Sequence, residues 1–209
     1  MDLFSFTDNR FIEAAVVILI LIPSIIVHEV SHGFAADRLG DDTARRAGRL
    51  TLNPVPHIDP FGSVLLPAML ALAGGPIFGW AKPVPVNAGR FRNPTGDMAI
   101  TALAGPLSNV LVAALLARLV FPSTDGVPRE IVLWFIALNL FLAVFNMLPV
   151  PPLDGSRLLP LVLSERGRQV FRQFEQFGFL ILFGLLFFLP DALNFMTDWV
   201  NWLLNLVIA

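Results

Sequence analysis

The amino-acid sequence predicts an all-α polytopic membrane protein with about five to six transmembrane helices. Hydrophobic residues make up 56% of the 209 positions and charged residues only 14%, and the mean hydropathy is +0.72. Soluble domains carry about 25% charged residues. Because this chain is so much more apolar, we expect residues 1–209 to form a single integral membrane domain.

The apolar residues are grouped into six segments along the chain. These segments are Phe11–Leu39, Phe61–Trp80, Met98–Phe121, Ile131–Leu148, Phe177–Leu189 and Ala192–Ile208. A helix needs about 20 residues to cross a bilayer, so the shorter segments need not all be full crossings.

The second segment, Phe61–Trp80, contains residues that break helices. Two prolines and three glycines interrupt it, namely Pro67, Gly74, Gly75, Pro76 and Gly79. It runs into Lys82–Asn87, where alternating prolines favour extended backbone. We therefore expect a re-entrant or strand-like element around residues 61–90 in place of a straight crossing.

Charge and cysteine content narrow the classes of function. The net charge is −2 with scattered arginines, so we expect no binding to nucleic acid. The chain has no cysteine, so any metal must be held by histidine, carboxylate or water. The first apolar segment lacks a basic start and is expected to be retained as a helix, unlike a cleaved signal peptide.

The most informative motif is His28-Glu29-Val30-Ser31-His32, at the end of the first apolar segment. On a helix, His28 and His32 lie one turn apart on the same face. This is the H-E-x-x-H pattern of zinc peptidases, in which the histidines bind zinc and the glutamate is the general base. Such a match arises by chance in soluble helices, but a carboxylate inside a membrane costs about 2.5–3.5 kcal/mol, which favours a functional site.

A zinc peptidase needs a third protein ligand, and the sequence offers two strong candidates. His57 lies in the proline-rich stretch Asn53–Gly62, and Asp154 follows an apolar span in Asn146–Gly155. Prolines there end the helix and would bring the Asp154 carboxylate to the break. The alternative for Asp154-Gly155 is an ordinary turn at a helix end, and both ligand candidates stay open on spacing alone.

Four motifs together resemble the site-2 protease family of intramembrane zinc metalloproteases. They are His28-Glu-Val-Ser-His32, Asn53-Pro-Val-Pro-His-Ile-Asp-Pro-Phe-Gly62, Ala104-Gly-Pro-Leu-Ser-Asn109 and Asn146-Met-Leu-Pro-Val-Pro-Pro-Leu-Asp154-Gly155. The resemblance covers residues from about 11 to 165, with the motifs in the expected order. It is closest to the compact form without a PDZ module or other appended domain, which is the form we expect for this chain.

The resemblance implies a role for each matching residue. His28, His32 and Asp154 would bind one Zn²⁺ per chain, and Glu29 would be the general base. Asn146 would bind substrate or stabilise the oxyanion. His57 stays ambiguous, since it could assist at the site, position a loop or cap local structure.

The basic residues predict the topology. Besides Arg10, the loops that carry four, three, two and four of them span residues 38–49, 82–92, 118–129 and 157–172. Cytoplasmic loops are enriched in lysine and arginine. If Phe61–Trp80 turns back, eleven basic residues lie inside and three outside, whereas a full crossing gives six and eight. The charges favour the first arrangement, which makes the first span parallel to Ile131–Leu148 and brings His28 and Asp154 to similar depth.

These observations predict an intramembrane zinc metalloprotease that hydrolyses a peptide bond within or near a transmembrane segment of a substrate protein. We expect it in the lipid bilayer of a prokaryotic cell membrane, with the active site toward the cytoplasm. The sequence leaves the oligomeric state open. The alternative is a membrane metal transporter or a catalytically inactive metal-binding homologue. Glu29 discriminates between them, because it is placed as a base and the ionisable groups cluster at one depth.

Overall fold

The computed structural model describes residues 10–65, 69, 81–188 and 191–209. Its helices are α1 (Arg10–Arg38), α2 (Thr43–Arg46), α3 (Pro94–Leu115), α4 (Gly126–Asn146), α5 (Leu159–Val162), α6 (Glu165–Glu175), α7 (Gly178–Phe188) and α8 (Asp191–Ile208). The π-helical stretches are Pro60–Leu65 and Leu116–Val120, and the 3-10 turns are Val55–His57, Ala88–Arg90, Phe121–Ser123 and Asp154–Leu158.

Three helices in this part of the chain are long and apolar enough to cross a membrane. The candidate spans are Ala15–Arg38, Pro94–Ser123 and Gly126–Asn146, with mean hydropathies of 2.0, 1.9 and 1.8. The described residues contain no β-strand. The predicted all-α membrane fold class is therefore confirmed. Residues 66–68 and 70–80, about half of the predicted re-entrant or strand-like element around residues 61–90, lie outside the described residues. That element therefore stays a prediction, together with the total of five to six helices.

Among the long helices, α1 packs against α3, α3 against α4, and α4 against α8. Along α1 from His28 to His32, the partners on α3 run backwards from Asn109 to Thr101, so these two helices are antiparallel. Ser24 meets Asn139 on α4, and His28 meets Asp154 just beyond the end of α4. Helices α1 and α4 are therefore parallel, as the charge distribution predicts.

The chain leaves α1 and enters α3 at the same end of the bundle. Asp42, just after α1, pairs with Arg90, just before α3. The backbone N–H of Asn87 donates to Asp41 Oδ2 over 2.5 Å. The described residues just after α1 and just before α3 therefore lie on the same side of the bundle.

The start of α3 is fixed by a reciprocal cap. The side chain of Asn93 accepts from the Gly96 N–H, and the Asp97 carboxylate accepts from the Asn93 N–H at 2.9 Å. Pro94 occupies the first turn, where its missing N–H costs nothing. This cap fixes the residue at which α3 begins.

The apolar core lies along α3 and α4, beyond the polar residues that face α1. It contains Ala113, Ala117 and Phe121 from α3 and its continuation, Ile136 and Leu140 from α4, and Val200 from α8. Small alanines let helix backbones approach closely, as is common between helices in membranes. The bundle is thus packed tightly at the level just beyond the two histidines.

Candidate metal centre

Three ligand-type atoms meet where α1, α3 and the end of α4 converge. The Nε2 atoms of His28 and His32 are 3.0 Å apart. Asp154 Oδ2 lies 3.1 Å from the first and 3.2 Å from the second. Among the described residues, His28, His32 and Asp154 form the group whose geometry could hold a metal ion.

The spacing of the three atoms fits a tetrahedral zinc site. Ligand atoms about 2.0–2.1 Å from zinc lie about 3.3–3.4 Å from one another when the geometry is tetrahedral. The observed triangle of 3.0, 3.1 and 3.2 Å is close to this size. An ion bound to it would keep a fourth position open, which is typical of catalytic zinc sites.

The polar atoms of the triangle are not satisfied by ordinary hydrogen bonds. Asp154 Oδ2 is buried and makes no hydrogen bond within the described part of the chain. His32 Nδ1 lies 2.7 Å from the carbonyl oxygen of Thr101, which can only accept. His32 Nδ1 therefore carries a proton, and in the neutral ring Nε2 presents a lone pair to the triangle. A cation between these groups would satisfy them.

The two imidazoles are oriented by α3. His28 Nδ1 contacts Asn109 Oδ1 at 2.6 Å, and His32 Nδ1 donates to the Thr101 carbonyl. Both rings are buried, with 6% and 9% of their surface exposed. Such outer partners fix the ring orientation of histidine ligands to metals.

Gly105 lets α3 approach the two rings. A Cβ built on this glycine would collide with His32 Nε2 and would lie 2.5 Å from His32 Cε1 and 2.6 Å from His28 Cε1. Any side chain here would push α3 away from α1 or displace the imidazoles. The glycine is therefore required by the close packing of α3 on the site.

Asp154 reaches the histidines through a tightly folded loop after α4. The backbone N–H of Leu153 donates to Val150 O at 2.9 Å, and the Ser156 hydroxyl donates to Leu153 O at 2.7 Å. A Cβ on Gly155 would overlap the carbonyl group of Met147. The loop folds back onto the end of α4, so Asp154 begins its 3-10 turn beside α1.

Glu29 follows His28 on α1, and its side chain is held by the segment between residues 81 and 87. Its Oε2 accepts a hydrogen bond of 2.7 Å from the Val84 N–H. Residues 81–87 form neither a helix nor a paired strand. This segment is fixed at its start by Arg49, whose guanidinium donates to the Lys82 carbonyl at 2.6 Å.

Asp41 fixes the other end of the same segment. The carboxylate is fully buried and accepts from the Thr43 hydroxyl and from the backbone N–H of Thr43 and Asn87. Burial by itself would raise the pKa of Asp41, but these hydrogen bonds and nearby Arg90 hold it below its ordinary value. Asp41 is therefore an ionised acceptor at neutral pH.

The structure does not bring His57 to the triangle. His57 is buried, and its Nε2 donates to the Thr51 carbonyl at 2.9 Å. Its own carbonyl accepts from the Lys82 N–H, also at 2.9 Å. These two bonds join His57 to the loops that carry Thr51 and Lys82, and which of its three possible roles it has stays a prediction.

Asn146 lies in the last turn of α4 and is partly buried. Its Nδ2 donates to the Leu142 carbonyl of the same helix at 2.9 Å. The contact with substrate or oxyanion implied by the resemblance stays a prediction.

The polar residues behind His28 could not be assigned a role from the sequence. Asn109 belongs to the Ala104–Asn109 motif, whereas Ser24 and Asn139 lie in apolar segments without a motif, and all three are buried within the helices. The available signal was the cost of placing amides and hydroxyls in apolar spans, which marks such residues for inspection.

Comparison with known proteins identifies similar sequences. Residues 122–189 match peptidase family M50. YwhC of Bacillus subtilis, a candidate zinc metalloprotease, is 39% identical over 184 residues, which cover 83% of this chain and 80% of YwhC. Rip2 of Mycolicibacterium smegmatis, also a candidate zinc metalloprotease, is 34% identical over 177 residues, which cover 82% of this chain and 65% of Rip2. No solved structure matches the chain.

We predict that Gly105→Ala lowers zinc affinity by about tenfold or more, because the new methyl group displaces the two imidazoles. Zinc bound to the purified protein in detergent, titrated against a chelator of known affinity, measures the change. Gly184→Ala in α7 is the matched control, since a Cβ there meets nothing within 4 Å. Equal zinc affinity in both variants would show that α3 does not pack on the rings as described.

We also predict that Asp154→Ala empties the metal site to a much greater extent than His57→Ala. Asp154 contributes one corner of the triangle, whereas the His57 ring is bonded to Thr51. Zinc content of the two purified variants, measured by elemental analysis, tests this. Loss of zinc from His57→Ala with zinc retained in Asp154→Ala would contradict it.

Proposed function

Since the chain belongs to peptidase family M50, the site-2 protease family, we propose that it is an intramembrane zinc metalloprotease. It hydrolyses a peptide bond within or near a transmembrane segment of a substrate protein. The observation that carries the proposal is the triangle of His28, His32 and Asp154 inside the helix bundle, with the Glu29 carboxylate beside it.

The proposed ligands are the three residues at the corners of the triangle, and they fit zinc in number, type and spacing. When bound, zinc acts as a Lewis acid that acidifies water and polarises a peptide carbonyl. Glu29 would take the proton of the attacking water and return it to the leaving amine. Because Val84 binds Glu29 Oε2, the carboxylate is held in one orientation and Oε1 is left for proton transfer.

A peptide bond inside a helix is shielded by its own hydrogen bonds, so a substrate helix must unwind before it reacts. We propose that residues 82–87 hold the unwound stretch. This segment is proline-rich, forms no paired strand and contacts Glu29 through Val84. Its backbone groups that are not bonded to His57, Glu29, Asp41 or Arg49 would bind the extended peptide. Asn146, at the end of α4, would bind the substrate backbone or the oxyanion.

The second candidate function is metal transport or metal binding without catalysis. Transport requires ligands distributed along a route through the bilayer. In the described residues, the donors within reach of one another are confined to a triangle with sides of 3.0–3.2 Å. Glu29, next to His28 on α1, lies outside that group of ligands and is held by the Val84 N–H, which supports the protease over the transporter.

The protein is an integral membrane protein, and we propose that its active site faces the cytoplasm. Eleven of the fourteen basic residues fall on one side in the arrangement with parallel α1 and α4. The positive-inside rule assigns that side to the cytoplasm. His28 and Asp154 lie toward the same end of the bundle.

We predict that Glu29→Gln abolishes cleavage of a model transmembrane substrate, by at least about a hundredfold, and leaves zinc content unchanged. The amide cannot take a proton, and Glu29 is not one of the three proposed ligands. Substrate cleavage in proteoliposomes and zinc per chain are measured on the same preparation. Glu165→Gln, on the exposed start of α6, is the matched control. Cleavage by Glu29→Gln at the wild-type rate would exclude the proposed base.

The predicted membrane orientation can be tested with single cysteines introduced at Ala47, Ala88, Ser123 and Gln169, because the chain has no cysteine of its own. Ser123→Cys should react with an impermeant maleimide in intact cells, and the other three only after lysis. Ala47 follows α2, Ala88 precedes α3, Ser123 ends the 3-10 turn beyond α3, and Gln169 lies within α6. Labelling of Ala88→Cys but not Ser123→Cys would mean that the segment before α3 crosses to the outside.

A further inference from the structure

A chain of polar side chains runs through the bundle behind His28. It joins Ser24 of α1, Asn139 of α4 and Asn109 of α3 to the imidazole. Ser24 is 1% exposed, and both asparagines are fully buried. Buried polar groups are costly unless every donor and acceptor is paired. Three such residues in the apolar centre of three helices therefore suggest a shared purpose.

The direction of each hydrogen bond follows from the ends of the chain. One side-chain atom of Asn139 lies 2.9 Å from the Phe135 carbonyl, which can only accept, so that atom is the amide nitrogen. The same nitrogen lies 3.0 Å from Ser24 Oγ. Ser24 donates its own proton to the Ile20 carbonyl at 2.7 Å, so its oxygen is free to accept from Asn139.

The orientation of Asn139 then determines that of Asn109. Because Asn139 Nδ2 donates to Ser24 and Phe135, Asn139 presents Oδ1 to Asn109. Asn109 must then donate through Nδ2, which lies 2.9 Å from Asn139 Oδ1. The second proton of Asn109 Nδ2 points to the Ser24 carbonyl at 3.3 Å. Asn109 therefore presents its oxygen to His28.

The proton on His28 is fixed by this sequence of bonds. Asn109 Oδ1 lies 2.6 Å from His28 Nδ1, so Nδ1 carries a proton, and in the neutral ring Nε2 carries the lone pair. A lone amide beside an imidazole could rotate by half a turn and present its NH₂ group instead. The proton would then move to Nε2 and block the corner of the triangle that His28 supplies.

The two histidines differ in how their protons are placed. His32 is held by the Thr101 carbonyl, a backbone group that cannot change its polarity. His28 is held by a side-chain amide whose polarity is set by Asn139 and Ser24. His28 thus depends on neighbouring side chains for its tautomer, whereas His32 does not.

We propose that Asn139 and Ser24 are positioning residues that keep His28 in its Nδ1-protonated, metal-binding tautomer by orienting Asn109. The proposal deepens the proposed function and rests on His28 as a metal ligand. Neither residue touches the metal triangle, so both act through Asn109.

The test reads the tautomer directly and apart from enzyme activity. The chain has three histidines, so ¹⁵N-histidine labelling in nanodiscs gives few resonances, assigned from single His→Gln variants. In metal-free wild type we expect His28 to carry a proton on Nδ1, where it faces Asn109 Oδ1. In Asn139→Leu we expect a mixture of both tautomers, and zinc affinity lower by about tenfold, as for lost outer partners of histidine ligands.

Matched controls separate this role from general stability. Leu140→Ala changes the next residue of α4, which is also fully buried but packs in the apolar core. It should lower thermal stability without changing the tautomer or the zinc affinity. Ser24→Ala should change both the His28 tautomer and the zinc affinity. Ser31→Ala should change neither of these, because the Ser31 hydroxyl bonds only the Val27 carbonyl among the described contacts.

The outcomes distinguish this proposal from the proposed function. An unchanged His28 tautomer in Asn139→Leu and in Ser24→Ala would overturn the positioning role, even if zinc affinity fell. If Asn139→Leu does not fold, the milder Ser24→Ala decides the matter by the same two readouts. A wild-type protein that takes up no zinc, with the tautomer shifts as expected, would overturn the proposed function and leave the hydrogen-bond assignment standing.

Discussion

Polar groups inside an apolar helix bundle must be paired with other protein groups, because lipid offers no partners. This constraint determines the surroundings of His28 and His32. Each ring has one nitrogen turned to the triangle and the other bonded to α3. The spacing of α1 and α3 cannot change without breaking these bonds, so the constraint also fixes the register of the two helices. The absence of a side chain at Gly105 makes that register sterically possible.

Sequence periodicity was sufficient to predict the part of the site that lies on one helix. His28 and His32 are four residues apart, so their shared face follows from helix geometry alone. The charges of the loops also predicted that α1 and α4 are parallel. The contacts among Ser24, Asn109 and Asn139 could not be predicted in this way, because they depend on the rotation of three helices about their own axes. A shift of one residue on α4 would replace Asn139 by Leu140, which faces the apolar core.

The choice between His57 and Asp154 illustrates a second limit. Both residues lie in proline-rich stretches, and neither stretch has a periodicity that gives a direction. The structure separates them through particular contacts. The loop after α4 folds onto Met147 because residue 155 has no Cβ, and this carries Asp154 to the histidines. The stretch around His57 instead pairs with Lys82 and supports the segment that binds Glu29.

Mutations are expected to disturb the orientation of His28 more readily than that of His32. The partner of His32 is a main-chain oxygen, and any residue at position 101 that preserves the helix supplies it. The hydrogen bond to His28 depends on three side chains, those of Ser24, Asn109 and Asn139. Drift or engineering in the interior of the bundle would therefore erode the site from the His28 side first. A redesign that seeks a more robust site has its best opportunity there, by replacing the amide chain with a backbone acceptor.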